Sequence, residues 1–227
     1  MPENWDPQLQ RSSLRGFARI RAILWERSLG FYEWLCLARF DWWWKLRKAV
    51  RAAFRDCDPI DLANRYYPEL VYGETPAVTV YTLLDSIELP AALRLVDLGC
   101  GRGWVSLTAA SMGYSALGID LVPEYLERAR QVARQLDLAA EFVEGDLAEL
   151  ELPEGELYWV SATALPESVK QHLAQALSGR PAGTLVVCQD WSPGSPLERI
   201  WQVRLPVSFG VSTFEVWRVS GESDAAQ

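Results

Sequence analysis

Leu95-VDLGCGRG-Trp104 is the stretch of this 227-residue chain on which the fold turns. Arg94 to Leu98 is a short β-rich run, glycines follow at 99, 101 and 103, and a small-residue helix, Val105-SLTAASM-Gly113, comes next. A strand that enters a glycine turn and leaves as a helix opens a βαβ unit. The alternation continues downstream. Ser115-ALGI-Asp120 reads as a second strand, and 124–137 as a helix with Leu126, Ala129, Val132, Ala133 and Leu136 on one face. Residues 140–146 and 156–162 read as the third and fourth strands, 166–177 as a helix with Pro166 near its first turn, and 183–189 as a fifth strand. Two closing strands, around 201–207 and 213–219, are joined by a turn containing Gly210. Strands alternating with helices of this length imply right-handed crossovers and a doubly wound, mostly parallel sheet.

In such sheets ligands bind beyond the carboxyl ends of the strands, at the switch point beside the first strand. Here that point is the loop Gly99, Cys100, Gly101, Arg102, Gly103. Dinucleotide-binding proteins also carry a glycine loop, and three details argue against one here. The spacing is G-x-G-x-G, with Trp104 where the dinucleotide fingerprint wants its last glycine. Asp97 lies two residues before the first glycine, which suits a cationic ligand such as an amino-acid ammonium better than a pyrophosphate. Two further acids, Asp120 and Asp146, stand at the ends of the next two strands.

With these residues in view, the chain resembles the class I methyltransferases. VDLGCGRG resembles that family's first motif, GIDLV (118–122) its post-first acidic motif and EGDLAEL (144–150) its adenine-side motif. The resemblance spans roughly residues 72 to 220. It implies an α/β, Rossmann-like fold: a doubly wound, mostly parallel seven-stranded sheet with an antiparallel C-terminal hairpin, preceded by N-terminal helices. It also implies S-adenosyl-L-methionine as cofactor. Asp97, Gly99 and Gly101, with Cys100 and Gly103 in the same loop, would line its methionine end. Asp120 would accept both ribose hydroxyls. Asp146 would meet the adenine amino group, with Leu121 and Leu147 packing on the ring. Any one of these aspartates could be an ordinary turn former at a strand end; three in register with the glycine loop point to a ligand.

A narrower resemblance involves Tyr67 to Pro76, YPELVYGETP, which is similar to the loop before the first motif in the non-SET, disruptor-of-telomeric-silencing-like histone-lysine methyltransferases. Leu185-VVCQDWSP and Phe214-EVWRV resemble that family too, and equally the lysine methyltransferases acting on the ATP-synthase c subunit, whose N-termini are membrane-associated. This implies that Tyr72, Glu74 and Thr75 help close the cofactor and substrate channel, with Tyr72 and Glu74 as catalytic candidates. The fourth strand departs from the pattern: it ends Trp159-VSATALP where the histone enzymes have an asparagine, and it lacks the [DN]-P-P-[YF] motif of nucleobase amino-methylases. Ser161 and Thr163 are the polar candidates left at the acceptor side, and both could equally be capping residues ahead of Pro166.

Composition narrows the rest. Apolar residues make up 49% and charged residues 23%, as in a globular protein. Four scattered cysteines without a C-x-x-C pair, one histidine (His172) and no leader-like N-terminus point to a reducing, cytoplasmic setting without a zinc site. Cys100 reads as a small residue that fits between glycines, and His172 as a packing or surface residue. Residues 1 to 60 carry 11 Lys+Arg against 7 Asp+Glu, whereas the remainder carries 11 against 23. An acidic body disfavours nucleic acid as a partner.

Six of the eleven tryptophans precede residue 45. Residues 12 to 56 read as two helices broken near Ser28–Gly30, with Phe31, Trp34, Leu35, Ala38 and Trp42 as the apolar face of the second. No run reaches the ~20 apolar residues needed to span a bilayer. The expected organisation is a basic, Trp-rich helical segment over 1–58, a catalytic domain over 59–220 and a disordered tail over 221–227. The N-terminal helices admit three readings: a cap packed on the sheet, a peripheral contact with a membrane interface, or a grip on an anionic or protein substrate. The methyl acceptor is expected to be a protein, through a lysine amine, or else a small molecule; a scaffold that binds cofactor without transferring methyl is the third reading.

Overall fold

The computed structural model describes residues 17–66, 73–87, 89–90 and 93–220. Tyr72, Trp5 and the tail over 221–227 lie outside the described residues. Seven strands form one sheet: β1 (Arg94–Leu98), β2 (Ser115–Asp120), β3 (Ala140–Glu144), β4 (Leu157–Ser161), β5 (Leu185–Gln189), β6 (Leu197–Val207) and β7 (Gly210–Val219). Their order across the sheet is β3-β2-β1-β4-β5-β7-β6. The first five strands run parallel, and β7 pairs antiparallel with both β5 and β6. This is the Rossmann-like, doubly wound sheet with an antiparallel C-terminal hairpin that the alternation implies. The closing hairpin is tighter than the sequence suggests. β6 starts at Leu197, slips register between Arg199 and Trp201, and turns back through Ser208–Phe209.

The central strands are apolar on both faces because both faces are covered. Leu95, Leu157, Trp159 and Val187 pack with α4 (Ala77–Ser86) and α5 (Trp104–Ser111), whereas Val96, Leu98, Tyr158, Val160 and Val186 pack with α7 (Glu167–Ser178). Neighbours in sequence alternate between the two groups, the period of two expected of a strand. The progression reverses at β1, so β1 and β4 diverge into different crossovers and leave a crevice at their carboxyl ends.

The N-terminal helices differ from expectation. Helix α1 (Phe17–Leu37) runs unbroken through Gly30, and the break falls at residues 38–40, before α2 (Asp41–Ala53). A lone glycine weakens a helix by about 1 kcal/mol, too little to end it when both flanks are good formers. The chain turns instead at Phe40, whose backbone is extended (ψ 121°), and Asp41 then supplies an acid in the first turn of α2. The expected apolar face of Phe31, Trp34 and Leu35 points outward, and Leu35 is 59% exposed. The residues that bury are Leu37 and Trp43, against Ala77 and Val78 of α4. Leu46, Ala49, Val50 and Phe54 pack on Tyr125, Leu126, Ala129 and Val132 of α6 (Pro123–Leu136). A short helix, α3 (Pro59–Tyr66), links this cap to the rest.

Replacing Trp43, 1% exposed, by alanine should therefore destabilise the fold by about 3–5 kcal/mol. Leu35→Ala on the outer face should stay within about 0.5 kcal/mol of the parent. Urea unfolding of the two variants measures the difference; equal midpoints would show that α2 is not part of the cooperative unit.

Candidate active site

The crevice beyond β1 and β4 opens into a small cleft lined by Gly73, Glu74, Thr75, Cys100, Gly101, Arg102, Trp104, Val105 and Ser161. Its floor is the glycine loop. Gly103 sits in the left-handed region (φ 80°) at the start of α5, and a Cβ there would come within 2.7 Å of the Phe142 ring. Only glycine turns the chain this sharply beneath β3.

Asp97, the fourth residue of β1, is 1% exposed. Its Oδ2 accepts from the Ser106 backbone N–H (3.2 Å) and from the Ser106 hydroxyl (2.7 Å). Burial raises its pKa to about 7, against the two Ser106 hydrogen bonds that favour the anion, and the nearby Asp120 adds to the rise. Asp120, at the end of β2, is raised for the same first reason, opposed by backbone N–H groups of Val122, Gly101 and Leu121. Its Oδ2 accepts from Gly101 N–H (2.7 Å) and its Oδ1 from Val122 N–H (3.0 Å), so one carboxylate ties the glycine loop to the β2 turn. Beyond β3, Asp146 Oδ1 accepts from Ala148 N–H (2.8 Å) while Leu147 is buried, its Cδ1 3.7 Å from where a Gly99 Cβ would lie. The structure thus brings Asp97, Asp120, Leu121, Asp146, Leu147 and Ser161 to one edge of the sheet, beside the loop of Gly99, Cys100, Gly101 and Gly103.

Cys100 is buried, and burial with two neighbouring acids pushes its thiol well above the ordinary range. A neutral, buried thiol fits the reading of Cys100 as a packing residue. His172 is half-buried and shares a hydrogen bond with the Leu150 carbonyl (3.2 Å), away from the cleft lining.

The rim holds a clasp that sequence reasoning missed. Arg102 grips both oxygens of Glu74 through Nε and Nη2. Its guanidinium lies over the Phe54 ring, 5.2 Å from the centroid, at the end of α2. Glu74 N–H donates to the Ser208 hydroxyl (2.8 Å) and Ser208 N–H returns to the Glu74 carbonyl (3.0 Å). Gly73 backs directly onto Phe209: a Cβ there would fall 2.3 Å from the ring. Residues 73–75 are thus strapped between the β6–β7 turn and the glycine loop. The Glu74 carboxylate is engaged in a bidentate ion pair with Arg102. The sequence signal for the clasp was Arg102 itself, a long cation set between two glycines.

On the other wall, Thr163 does not cap α7; its hydroxyl reaches Asp190 (3.3 Å). Ser161 makes no side-chain cap bond either. Gln189 and Asp190, at the end of β5, also went unread, although the strand-end rule that picked out Asp120 and Asp146 applies to them equally.

A family model described as a methyltransferase domain matches residues 95–179. Ribosomal protein L11 methyltransferase of Bordetella bronchiseptica (strain ATCC BAA-588 / NCTC 13252 / RB50) is 32% identical over 143 residues, 61% of this chain and 44% of that protein. The S-adenosyl-L-methionine-dependent Diels-Alderase iccD of Talaromyces variabilis is 36% identical over 89 residues, 31% of this chain and 30% of that one. The chain spans less than half the length of these curated relatives. Among solved structures, an RNA methyltransferase from Salinibacter ruber in complex with S-adenosyl-L-homocysteine is similar at a TM-score of 0.55 and 29% identity, covering 66% of this chain and 95% of that one. The matched residues run from β1 through β4 and include the acids at the ends of β1, β2 and β3. Among the described residues no group of histidine, cysteine or acid side chains could hold a metal.

Because Asp97 binds its proton more tightly folded than unfolded, stability is lost as pH rises from about 4 towards about 7. Asp97→Asn, which cannot ionise, should gain on the parent over that window by on the order of 1 kcal/mol per pH unit. Thermal unfolding from pH 4 to 8 without added ligand reads the gap; parallel curves would contradict the burial argument.

Proposed function

We propose that the chain is an S-adenosyl-L-methionine-dependent methyltransferase that acts on an amine, in a protein lysine side chain. The observation that carries the cofactor reading is the buried, uncompensated Asp97 at the foot of the glycine loop. A carboxylate taken out of water beside a second acid favours a cation, and an amino-acid ammonium supplies one without a phosphate. The rest of the trough fits the remaining parts. Asp120 has acceptor capacity beyond its backbone bonds and stands where a diol would span it. Leu121 and Leu147 offer apolar contact for a base, with Asp146 beside them. The left-handed glycine loop removes the side chains that would obstruct the approach.

When bound, the cofactor supplies an electrophilic methyl on a sulfonium. The chain's own share is placement and exclusion of water. Thr75 and Ser161 stand on the two walls of the cleft, and the Glu74–Arg102 clasp covers it, its two side chains each only 18% exposed. A protonated amine reaching this cleft must shed its proton to water or to a rim acid before its lone pair is free. We assign Glu74 to the clasp, and Tyr72 stays a candidate for the acceptor channel. In line with the acidic body of the chain, the reading disfavours nucleic acid as acceptor. A small-molecule acceptor and a cofactor-bound protein without methyl transfer are the competing readings.

A second aspect concerns α1. Leu24 (58%), Phe31 (60%) and Leu35 (59%) expose large apolar side chains on a helix followed by the basic residues of α2. This arrangement favours a peripheral contact with an anionic membrane surface. Among the described residues, no helix is long and apolar enough to cross a bilayer. Co-sedimentation with phosphatidylglycerol vesicles should be lost on Phe31→Ser/Leu35→Ser; equal sedimentation of parent and variant would remove the idea.

For the main reading, titration calorimetry should detect S-adenosylhomocysteine binding, weakened at least about tenfold by Asp120→Ala through loss of charge-assisted hydrogen bonds. A cell lysate supplied with methyl-tritiated cofactor and the enzyme should then show a labelled protein band. Label in RNA or in the organic-soluble fraction would reassign the acceptor. Binding without any label would replace the enzyme with a cofactor-binding scaffold.

A further inference from the structure

The acceptor wall carries an acid that the cofactor reading leaves without a task. Asp190 follows β5 directly, at the same carboxyl edge as Asp97 and Asp120. Its neighbour Gln189 is the register partner of Ser161, which lines the cleft. A one-way hydrogen-bond chain runs out from the cleft. Thr75 hydroxyl donates to Gln189 Oε1 (3.1 Å), Gln189 Nε2 donates to Thr163 Oγ1 (3.3 Å), and Thr163 hydroxyl donates to Asp190 Oδ2 (3.3 Å). Gln189 Nε2 also donates to Ser212 Oγ (3.2 Å). Each hydroxyl proton in the run to Asp190 is spent in the same direction, so the chain ends on a group that can only accept.

Three further observations set Asp190 apart. Its backbone is left-handed (φ 51°), a conformation non-glycine residues hold at a cost and which concentrates at functional sites. Its own N–H donates to Thr213 O (2.8 Å) and its Oδ1 accepts from Thr213 N–H (2.9 Å), so the carboxylate is fixed in place by β7. Glu74 is paired with Arg102 and Glu215 with Arg199, whereas no cationic side chain pairs with Asp190 among the described residues. Thr163, which it contacts, is exposed, so a ligand can reach the pair. A rigid, half-buried carboxylate without a cationic partner, three hydrogen bonds from the cleft-lining Thr75, attracts a cation and repels anions.

We propose that Asp190 is the anionic anchor of the acceptor site, holding a protonated primary amine at the mouth of the cleft and selecting lysine-type acceptors over neutral or anionic ones. This rests on the methyl-transfer reading and adds to it a specificity residue on the acceptor side. Asp190 acts as a positioning residue for the incoming amine; the Thr75–Gln189–Thr163 chain fixes its charge relative to the cleft.

The test uses the full chain saturated with S-adenosylhomocysteine and titrated at constant ionic strength with n-butylammonium, then with 1-butanol. Amide signals of Thr163, Gln189 and Thr213 are followed by NMR. Butylammonium should give saturable shifts, and 1-butanol should bind at least about tenfold more weakly, as expected for loss of a charge-assisted contact. Asp190→Asn keeps an oxygen for Thr213 N–H but not the charge. It should lose about the same factor for butylammonium while its melting temperature and S-adenosylhomocysteine affinity match the parent, and Asp190→Glu should recover part of the binding. Equal butylammonium affinity in the parent and Asp190→Asn, or no saturable shift in the parent, would overturn the proposal. Failure of S-adenosylhomocysteine to bind in the first step would instead remove the methyl-transfer reading beneath it, so the two failures are read separately.

Discussion

The burial of the Asp97 carboxylate, with no cationic side chain paired to it among the described residues, is the constraint around which the domain is organised. A charge placed at the end of a central strand, 1% exposed, costs several kcal/mol unless its environment supports it. Ser106 supplies two hydrogen bonds from the first turn of α5, which fixes how that helix leaves the glycine loop. The loop must then turn within a few residues, and glycine at 103 permits this beneath Phe142. Asp120 completes the arrangement by holding Gly101 from the neighbouring strand. Two acids converge on the loop, and the loop's own cation, Arg102, is occupied with Glu74. In the proposed reading the remaining negative charge selects a cationic group.

The N-terminal helices are joined to that site through packing. Trp43 and Leu46 seat α2 on α4 and α6, and Phe54 at its end carries the Arg102 guanidinium. Arg102 in turn holds Glu74, and Glu74 is stitched to the β6–β7 turn through Ser208. Movement of α2 would therefore be felt at the cleft rim, where the clasp separates the trough from solvent. The outer face of α1 takes no part in this packing, which is why its aromatic residues stay exposed.

The sheet was legible because its signals are local: period-two apolar runs, glycines at a strand end, and acids where strands stop. Asp97, Asp120 and Asp146 could be placed on one edge by topology alone, since parallel strands must end on the same side. The N-terminal break was misplaced because Ser28–Gly30 is a weak local signal, and the actual turn at Phe40 is set by tertiary packing of Leu37 and Trp43. The outward face of α1 has the same origin: periodicity shows that a stripe exists, but not whether anything covers it. The clasp was hidden because Glu74, Arg102 and Ser208 are brought together only by the closed hairpin. Asp190 was missed for another reason: the resemblance of Leu185-VVCQDWSP gave it no role of its own, although chain position alone put it beside the other strand-end acids.

The account stands on Asp97 being the receptor for a cationic ammonium. Calorimetric titration of S-adenosylmethionine at pH 6.5, in buffers of different ionisation enthalpy, tests this most directly by counting protons released on binding. With the carboxyl titrating at about 7 in the free protein, the bound ammonium should drive off roughly three quarters of a proton, and Asp97→Asn should abolish the release. Binding with no proton release from the parent, or with equal release from Asp97→Asn, would contradict the account.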